Sequence, residues 1–282
     1  MKKSRRLHEE LQNVNSIENI THILESIASI RIKQIKDEVI GSREFFQRLW
    51  AIFSQLRVSQ KDAKREPAGP QKSKQAVILV TANAGLTGEV DTNLVTKVLA
   101  EVDPQKTDFF VYGLHGASLL VQRGVNPVKT FKFPEVGTTI DVAECITAIA
   151  GYTRPIVYFP SYSSLTVQEI SRLELLEAVQ TIGSSQSDIG NEEIIFKDNT
   201  IFEPSISEVV HYLEQMMAST ILTEIILETN LAQYSSRFNA MTAASTRATD
   251  MSKLLSRQYL QFKRQESDES NRRYKVSRKV AV

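Results

Sequence analysis

The two ends of this chain of 282 residues contain almost none of the residues that interrupt helices. From Met1 to Arg65 there is no proline, and Gly41 is the only glycine. From Ser205 to Val282 there is neither. Because proline and glycine are the strongest interruptions of a helix, their absence predicts one very long helix at each terminus.

The composition also lacks what several other classes of protein need. A single cysteine excludes a disulfide scaffold and a cysteine-rich metal site. No apolar run approaches the roughly 18–20 residues that span a bilayer. The basic start of the chain runs directly into His8, Glu9 and Glu10, where a signal peptide has its apolar region. A formal net charge of +1 gives no general reason to expect nucleic acid. The sequence therefore favours a soluble intracellular protein.

Motifs of catalysis are missing as well. The four histidines follow no metal-ligand spacing, and Cys145 falls in a predicted amphipathic helix, where a small buried residue is expected. Gly85–Gly88 follows a predicted strand, a place where α/β sheets often bind phosphate. However, Glu89 and Asp91 place two negative charges at the start of the next helix. We therefore expect a structural turn there, and no catalytic residue, cofactor or metal.

The first terminal segment carries an apolar stripe with the period of a helix. Steps of three and four residues dominate, as in a helix buried along one side. Two successive steps of three, from Val14 through Ile17 to Ile20, predict a locally overwound supercoil. The apolar positions in its first half are Leu7, Leu11, Val14, Ile17, Ile20, Leu24 and Ile27.

The last terminal segment carries a more regular stripe. Its steps alternate between four and three residues without a break, which predicts the seam of a left-handed coiled coil. The middle of the seam is small, and small side chains let a partner helix approach closely. The seam positions are Leu227, Leu231, Tyr234, Phe238, Met241, Ser245, Ala248, Ser252, Leu255, Tyr259 and Phe262.

Each terminal helix is too polar to be stable alone in water. The natural partner of one is the other, which predicts an intramolecular antiparallel coiled coil. The alternative is that both are ordinary bundle helices packed on the central domain. The combined length of the two stripes favours the pair.

The middle of the chain alternates between strands and helices, which predicts a Rossmann-like α/β domain with a mostly parallel sheet. Its predicted strands cover 76–82, 108–113, 155–159 and 192–196, and its predicted helices cover 91–102, 115–122 and 139–149. The predicted division is an N-terminal helix (1–58), a linker (59–75), the α/β domain (76–204), and a C-terminal helix with a basic tail (205–282).

Several segments, in order along the chain, resemble motifs of the gamma subunit of rotary ATP synthases. The family's D-R-G-L-C-G-G-x-N-x-N-L motif is similar to the segment from Asn83 to Leu94, with Asn83-Ala84 in place of D-R and Glu89 in place of the last glycine of its G-G pair. The charged stretch from Ser267 to Val282 replaces the family's apolar C-terminal end. The remaining matches are Leu11 with Val14, Ile20-Thr21, Ala28-Ser29, Phe202-Glu203-Pro204-Ser205, Glu228, Ser236 to Met241, Ala244, Leu254-Leu255 and Tyr259.

The resemblance implies a divergent rotor shaft without catalytic chemistry of its own. It implies alpha and beta subunits of the catalytic head as partners around the coiled coil, and the epsilon subunit and the c-subunit ring beside the α/β domain. It also implies a peripheral place at the cytoplasmic face of a bacterial inner membrane, where proton flow is coupled to ATP synthesis. Basic residues that would meet acidic loops of beta are Arg31, Lys33, Lys36, Arg247, Lys253 and Arg257.

Two other hypotheses stay open at this point. The α/β domain could bind a small ligand or act as an enzyme, with the helices serving for dimerisation. That hypothesis needs a phosphate or nucleotide at Gly85–Gly88, and the neighbouring acids count against it. The chain could also be a diverged paralogue that acts as a free-standing adaptor.

Overall fold

The structure is a computed structural model that describes residues 2–58, 73–175 and 206–280. The chain divides into two compact units, one made of Met1–Ser29 and Arg237–Val282 and the other of Ile30–Ser236. The elements in chain order are α1 (Lys2–Val58), β1 (Gln75–Val80), α2 (Val90–Glu101), β2 (Thr107–Tyr112), α3 (Leu114–Gln122), β3 (Lys129–Phe131), α4 (Ala143–Ile149), β4 (Ile156–Tyr162), β5 (Gln168–Glu174) and α5 (Ile206–Val280).

The two terminal helices are as long as the missing prolines and glycines predict. α1 has 57 residues and α5 has 75. The first part of α1 and the last part of α5 belong to the first unit, and the rest of both helices belongs to the second. The predicted start of α5 at Pro204-Ser205 lies outside the described residues.

The second unit contains a five-stranded sheet in the order β3-β2-β1-β4-β5. β1, β2, β3 and β4 run parallel, and β5 pairs with β4 in the antiparallel direction. Register in the centre pairs Val77 with Phe109 on one side and with Ile156 on the other. The mostly parallel α/β fold predicted from the sequence is therefore confirmed.

Both faces of this sheet are buried, which explains why its central strands are continuously apolar. On one face, Ile78 and Val80 of β1 belong to a core that contains side chains from α1, α4 and α5. On the other face, Val77 and Leu79 pack with side chains from α2 and α3. Successive residues of a strand point to opposite faces, so β1 supplies both cores.

The sheet also contains two strands that the sequence pattern does not predict. β3 has only three residues. β5 is a polar edge strand whose side chains are mostly half-buried, and an edge strand needs no continuous apolar run. α4 begins at Ala143 rather than at residue 139, and the Asp141 side chain accepts a hydrogen bond from the Ala143 amide. The predicted strand 192–196 lies outside the described residues.

Candidate functional site: the pairing of the terminal helices

In the first unit, α1 and α5 pair side by side in opposite directions. Ser252 Oγ donates to Asn15 Oδ1 at 2.7 Å, and the rings of His8 and Tyr259 lie 5.4 Å apart. Two further bonds of 2.7 Å run from Thr249 Oγ1 to Glu18 Oε1 and from Thr242 Oγ1 to Glu25 Oε1. As α1 advances from residue 8 by seven, three and seven residues, α5 goes back from residue 259 by the same steps. All four contacts therefore belong to one antiparallel register.

The side of α1 that faces α5 differs from the predicted one. Positions 7, 11, 14, 18, 21, 25 and 28 are buried or half-buried, and their steps alternate between four and three. Ile20 and Ile27, predicted in the seam, are 57% and 45% exposed, and Ile17 is exposed too. The heptad continues through Glu18, Thr21, Glu25 and Ala28 instead of changing its spacing to reach the isoleucines. The predicted placement of Ile17 and Ile20 in the seam, from which the overwinding is inferred, is therefore wrong.

The remaining seam positions predicted in α1 are Leu11, Val14 and Leu24, and all three are half-buried. The sequence analysis misses Glu18, Thr21, Glu25 and Ala28 because it follows only large apolar residues. The signal that finds them is the spacing itself, since steps of four and three from Leu7 lead to each of them.

The seam positions that the sequence predicts in α5 are not exposed. Met241 and Ala248 are buried in the first unit, and Leu231 is buried in the second. The other predicted positions are half-buried: Phe238, Ser245, Ser252, Leu255 and Tyr259.

The side chains that form the interface are thus small and polar near its middle. A buried leucine typically contributes about 1.5–3 kcal/mol through its apolar surface, which alanine, serine and threonine cannot match. Hydrogen bonds from hydroxyl groups to carboxylate or amide oxygens supply part of the missing stabilisation, and these bonds are directional. Such contacts specify which residues face each other more strongly than they add stability.

The basic residues predicted to meet the head lie at or near the surface. Arg31 is half-buried and donates from Nη1 to Gln34 Oε1 at 2.9 Å, whereas Lys33 and Lys36 are exposed, all in the second unit. In the first unit the remaining members of this set are exposed: Arg247, Lys253 and Arg257. Their contact with a head stays a prediction.

The Gly85–Gly88 turn is held by a fully buried carboxylate. Asp91 Oδ2 lies 2.8 Å from His115 Nδ1, and Thr87 Oγ1 donates to it at 3.3 Å. Ser236 Oγ of α5 donates to the Thr87 carbonyl at 2.8 Å. The carboxylate therefore lies at the start of α2, where a phosphate would have to bind, and the turn has the structural role that the sequence predicts.

The Asp91–His115 contact is not foreseen by the sequence analysis, which places no histidine in a cluster. The two residues are 24 positions apart, each in the first turn of the helix that follows one of two neighbouring parallel strands. Side chains at that edge of a sheet come together, and this rule is the signal that finds the pair. Across the described ranges, no group of His, Cys, Asp and Glu side chains has the arrangement of a metal site.

Comparisons with known proteins agree with this architecture. A family model described as "ATP synthase" matches residues 3–267. The ATP synthase gamma chain of Cytophaga hutchinsonii is 22% identical over 270 residues, covering 88% of each chain. That of Mycoplasmopsis pulmonis is 25% identical over 244 residues, covering 84% of this chain and 85% of the relative.

Solved structures show the same fold at low identity. The rotor of the Euglena gracilis mitochondrial ATP synthase contains a chain that superposes with a TM-score of 0.64 at 15% identity. That match covers 94% of this chain and 98% of the other. A chain from the central stalk and c-ring structure of the Tetrahymena thermophila enzyme gives 0.57 at 16% identity, covering 80% and 99%.

A mostly parallel α/β sheet with paired terminal helices is the fold that this chain shares with these rotor and central-stalk chains. This chain belongs to the ATP synthase gamma subunit family. The alternatives of a ligand-binding α/β protein and a free-standing adaptor are not favoured, because relatives and structural neighbours are gamma chains or rotor stalks.

Proposed function

We propose that the chain works as the rotor shaft of an ATP synthase and turns as one piece with its paired helices. The observation that carries this proposal is the single antiparallel register of α1 and α5, marked by the Asn15–Ser252, Glu18–Thr249 and Glu25–Thr242 hydrogen bonds. A shaft that transmits rotation must not let its two helices slide past each other. Directional bonds along the seam meet that requirement, because sliding breaks them.

Partners follow from the same role. The alpha and beta subunits would surround the paired helices, and the epsilon subunit and the c-subunit ring would lie beside the α/β unit. Rotation driven by proton flow would bring each catalytic site in turn through open and closed states. Nucleotide chemistry would belong to beta, so this chain would be a non-catalytic subunit. One structural neighbour comes from a structure of the OSCP, F1 and c-ring of the Euglena gracilis enzyme, which supports these partners.

We further propose a peripheral location at the cytoplasmic face of a bacterial inner membrane, reached through the complex. Within the three described stretches, no helix is both long and apolar enough to cross a bilayer. In this arrangement the basic side chains of Arg31, Lys33, Lys36, Arg247, Lys253 and Arg257 would face acidic groups of the head.

Co-expression with the alpha and beta subunits encoded in the same genome tests the proposal. We expect the chain to co-purify with an alpha/beta hexamer that hydrolyses ATP. A Met241→Asp and Ala248→Asp double variant puts two charges into the buried seam and should disrupt the helix pair, so it should co-purify weakly. A matched double variant at exposed positions of α5 outside the basic set, Ala243→Asp and Thr246→Asp, leaves the seam intact and should keep most of the binding. A monodisperse wild-type chain that ignores alpha and beta would contradict the proposal.

A further inference from the structure

A cavity of about 340 Å³ lies in the second unit, where α1, α5 and the loop that precedes α4 meet. We call it the junction cavity. None of the described residues that line it belongs to the helix pairing of the first unit or to the Gly85–Gly88 turn. Its volume lies within the range of small-ligand sites, and at the packing density of a protein interior it holds roughly a dozen non-hydrogen atoms.

Part of the lining of the junction cavity is apolar. Phe45 of α1, Val142 of the loop and Met216 of α5 contribute to it. The Phe45 side chain is 49% exposed, so a ligand that covers its ring removes apolar surface from water. The face of an aromatic ring also attracts a cation. The cavity therefore offers a ligand an apolar wall that includes one aromatic ring.

The hydroxyl groups that α5 contributes to the cavity are hydrogen-bond acceptors. Ser219 Oγ donates to the Gln215 carbonyl at 2.9 Å, and Thr220 Oγ1 donates to the Met216 carbonyl at 2.8 Å. Thr223 Oγ1 donates to the Ser219 carbonyl at 2.9 Å. Because a hydroxyl group has a single proton, each of these oxygens has only lone pairs left for a ligand.

A carboxylate adds charge to this set of acceptors. Asp141 lines the cavity, and its Oδ1 accepts a hydrogen bond from the Ala143 amide at 2.9 Å. Among the described residues, no basic side chain forms an ion pair with Asp141. By contrast, Glu144 in the first turn of α4 lies 2.7 Å from Lys129 Nζ. The cavity is therefore rich in acceptors and negatively charged.

We propose that the junction cavity binds a small organic amine in its ammonium form. An ammonium group carries a positive charge and three protons, which match the Asp141 carboxylate and the hydroxyl lone pairs. The apolar part of the amine packs against Phe45 and Met216. An anion would meet the charge of Asp141 and find no donor among these hydroxyl groups, and a purely apolar ligand would take water from acceptors without replacing its hydrogen bonds.

This site stands beside the proposed rotor function and does not rest on it, because the cavity needs no second subunit. The ligand contacts α1, α5 and the loop before α4 at the same time. Binding to the folded chain alone therefore stabilises this junction, and it raises the midpoint of thermal unfolding as the ligand concentration rises.

Three probes with the same ring system test the chemistry of the site. Tryptamine, tryptophol and indole-3-acetate end in an ammonium, a hydroxyl and a carboxylate group, respectively. Isothermal titration calorimetry with the full chain at pH 7 should give a Kd of about 0.1–1 mM for tryptamine. Tryptophol should bind at least about tenfold more weakly, because it has one proton to donate and no charge. Indole-3-acetate should not bind.

Variants of the lining test the place of binding. Asp141→Asn keeps an oxygen for the Ala143 amide but removes the charge, so it should weaken tryptamine about tenfold and leave tryptophol unchanged. Glu144→Gln is the matched control, since it removes an exposed charge three residues away and should change affinity less than about threefold. Ala143→Trp at an exposed lining position should fill the cavity and abolish binding.

Thr223→Val gives an independent test of the acceptors. It keeps the shape of the side chain and removes one oxygen, so tryptamine should bind about threefold more weakly. Circular dichroism should show wild-type helix content for all of these variants.

Several results would overturn the inference. They are equal affinity for tryptamine and tryptophol, equal losses in Asp141→Asn and Glu144→Gln, full binding in Ala143→Trp, and a wild-type chain that binds no probe. Each of them would leave the rotor function intact, because that function is tested by binding to the alpha and beta subunits. A chain that binds tryptamine as expected but ignores those subunits would contradict the rotor function alone.

Discussion

The register of the paired helices can be tested by disulfide trapping. A double variant with Asn15→Cys and Ser252→Cys replaces two side chains that touch at 2.7 Å, so its thiols should oxidise readily. A slip by one heptad moves one helix along the other by about 10 Å. Disulfides need Cα atoms within about 7 Å, so the slipped pair, Asn15→Cys with Ser245→Cys, can oxidise only from the less populated slipped register and should react more slowly. Cys145 is replaced by alanine in both variants.

Such a slip is the alternative that the sequence most nearly permits. The Glu18–Thr249 and Glu25–Thr242 bonds repeat after seven residues, so a slip by one heptad keeps one of them and loses the other. Each is a partly exposed hydrogen bond to a carboxylate, and losing one costs about 1 kcal/mol, a factor of about five in population. Initial oxidation rates, measured with limiting oxidant and non-reducing gels, should therefore differ several-fold. A faster reaction of the Asn15–Ser245 pair would refute the register.

Three further results follow from the second unit. His115→Ala removes the shortest contact of the buried Asp91 carboxylate and should lower the free energy of unfolding by about 2–3 kcal/mol, measured by urea titration. Gly113→Ala should prevent folding or lower the free energy of unfolding by more than about 4 kcal/mol, because the added Cβ would lie 2.3 Å from a backbone oxygen. Gly124 also has a positive φ, but the space around it is open, so Gly124→Ala should lower that free energy by only about 1 kcal/mol. Burial raises the pKa of the Cys145 thiol to about 12, although a hydrogen bond from a neighbouring tyrosine lowers it, so a thiol reagent at pH 8 should label it only after unfolding.

Each of these has a matched control. His22→Ala changes an exposed histidine and should shift stability by less than about 0.5 kcal/mol. For Cys145, the pH dependence of stability checks the direction of the pKa shift. The pKa of this thiol is higher in the folded chain than in the unfolded one. Its contribution to the free energy of unfolding is therefore complete below about pH 9 and is lost as the pH rises towards 12. Cys145→Ala should therefore reduce the loss of stability in that range. Rapid labelling in the native state would contradict its burial.

The helix pairing shows how far a pattern of apolar residues can be trusted. In α5 the residues at seam spacing are apolar or small without interruption, and none of the predicted seam positions there is exposed. In α1 the apolar pattern wrongly places Ile20 in the seam, because the true seam positions 18 and 21 are occupied by glutamate and threonine, which an apolar pattern does not count. A carboxylate can lie in a seam when a hydroxyl group of the other helix donates to it, and one helix's sequence does not contain that information.

In the α/β unit, too, some features could be predicted from the sequence and others could not. Its central strands are buried on both faces and are predictable from continuous apolar runs, whereas the edge strand β5 is not. The Asp91–His115 contact depends on which strands are neighbours, and this order follows from packing of the whole sheet. The structural role of the Gly85–Gly88 turn could be predicted because the acids that follow it are visible in the sequence.

Rotation of the chain inside an alpha/beta hexamer tests the rotor function most directly. The hexamer would be fixed to a surface, and a bead would be attached through Ser118→Cys, an exposed position on α3, in a Cys145→Ala background. With ATP, the account predicts sustained rotation of the bead in one direction, which stops when the nucleotide is removed. A hexamer that hydrolyses ATP at full rate while the bead stays still would contradict it.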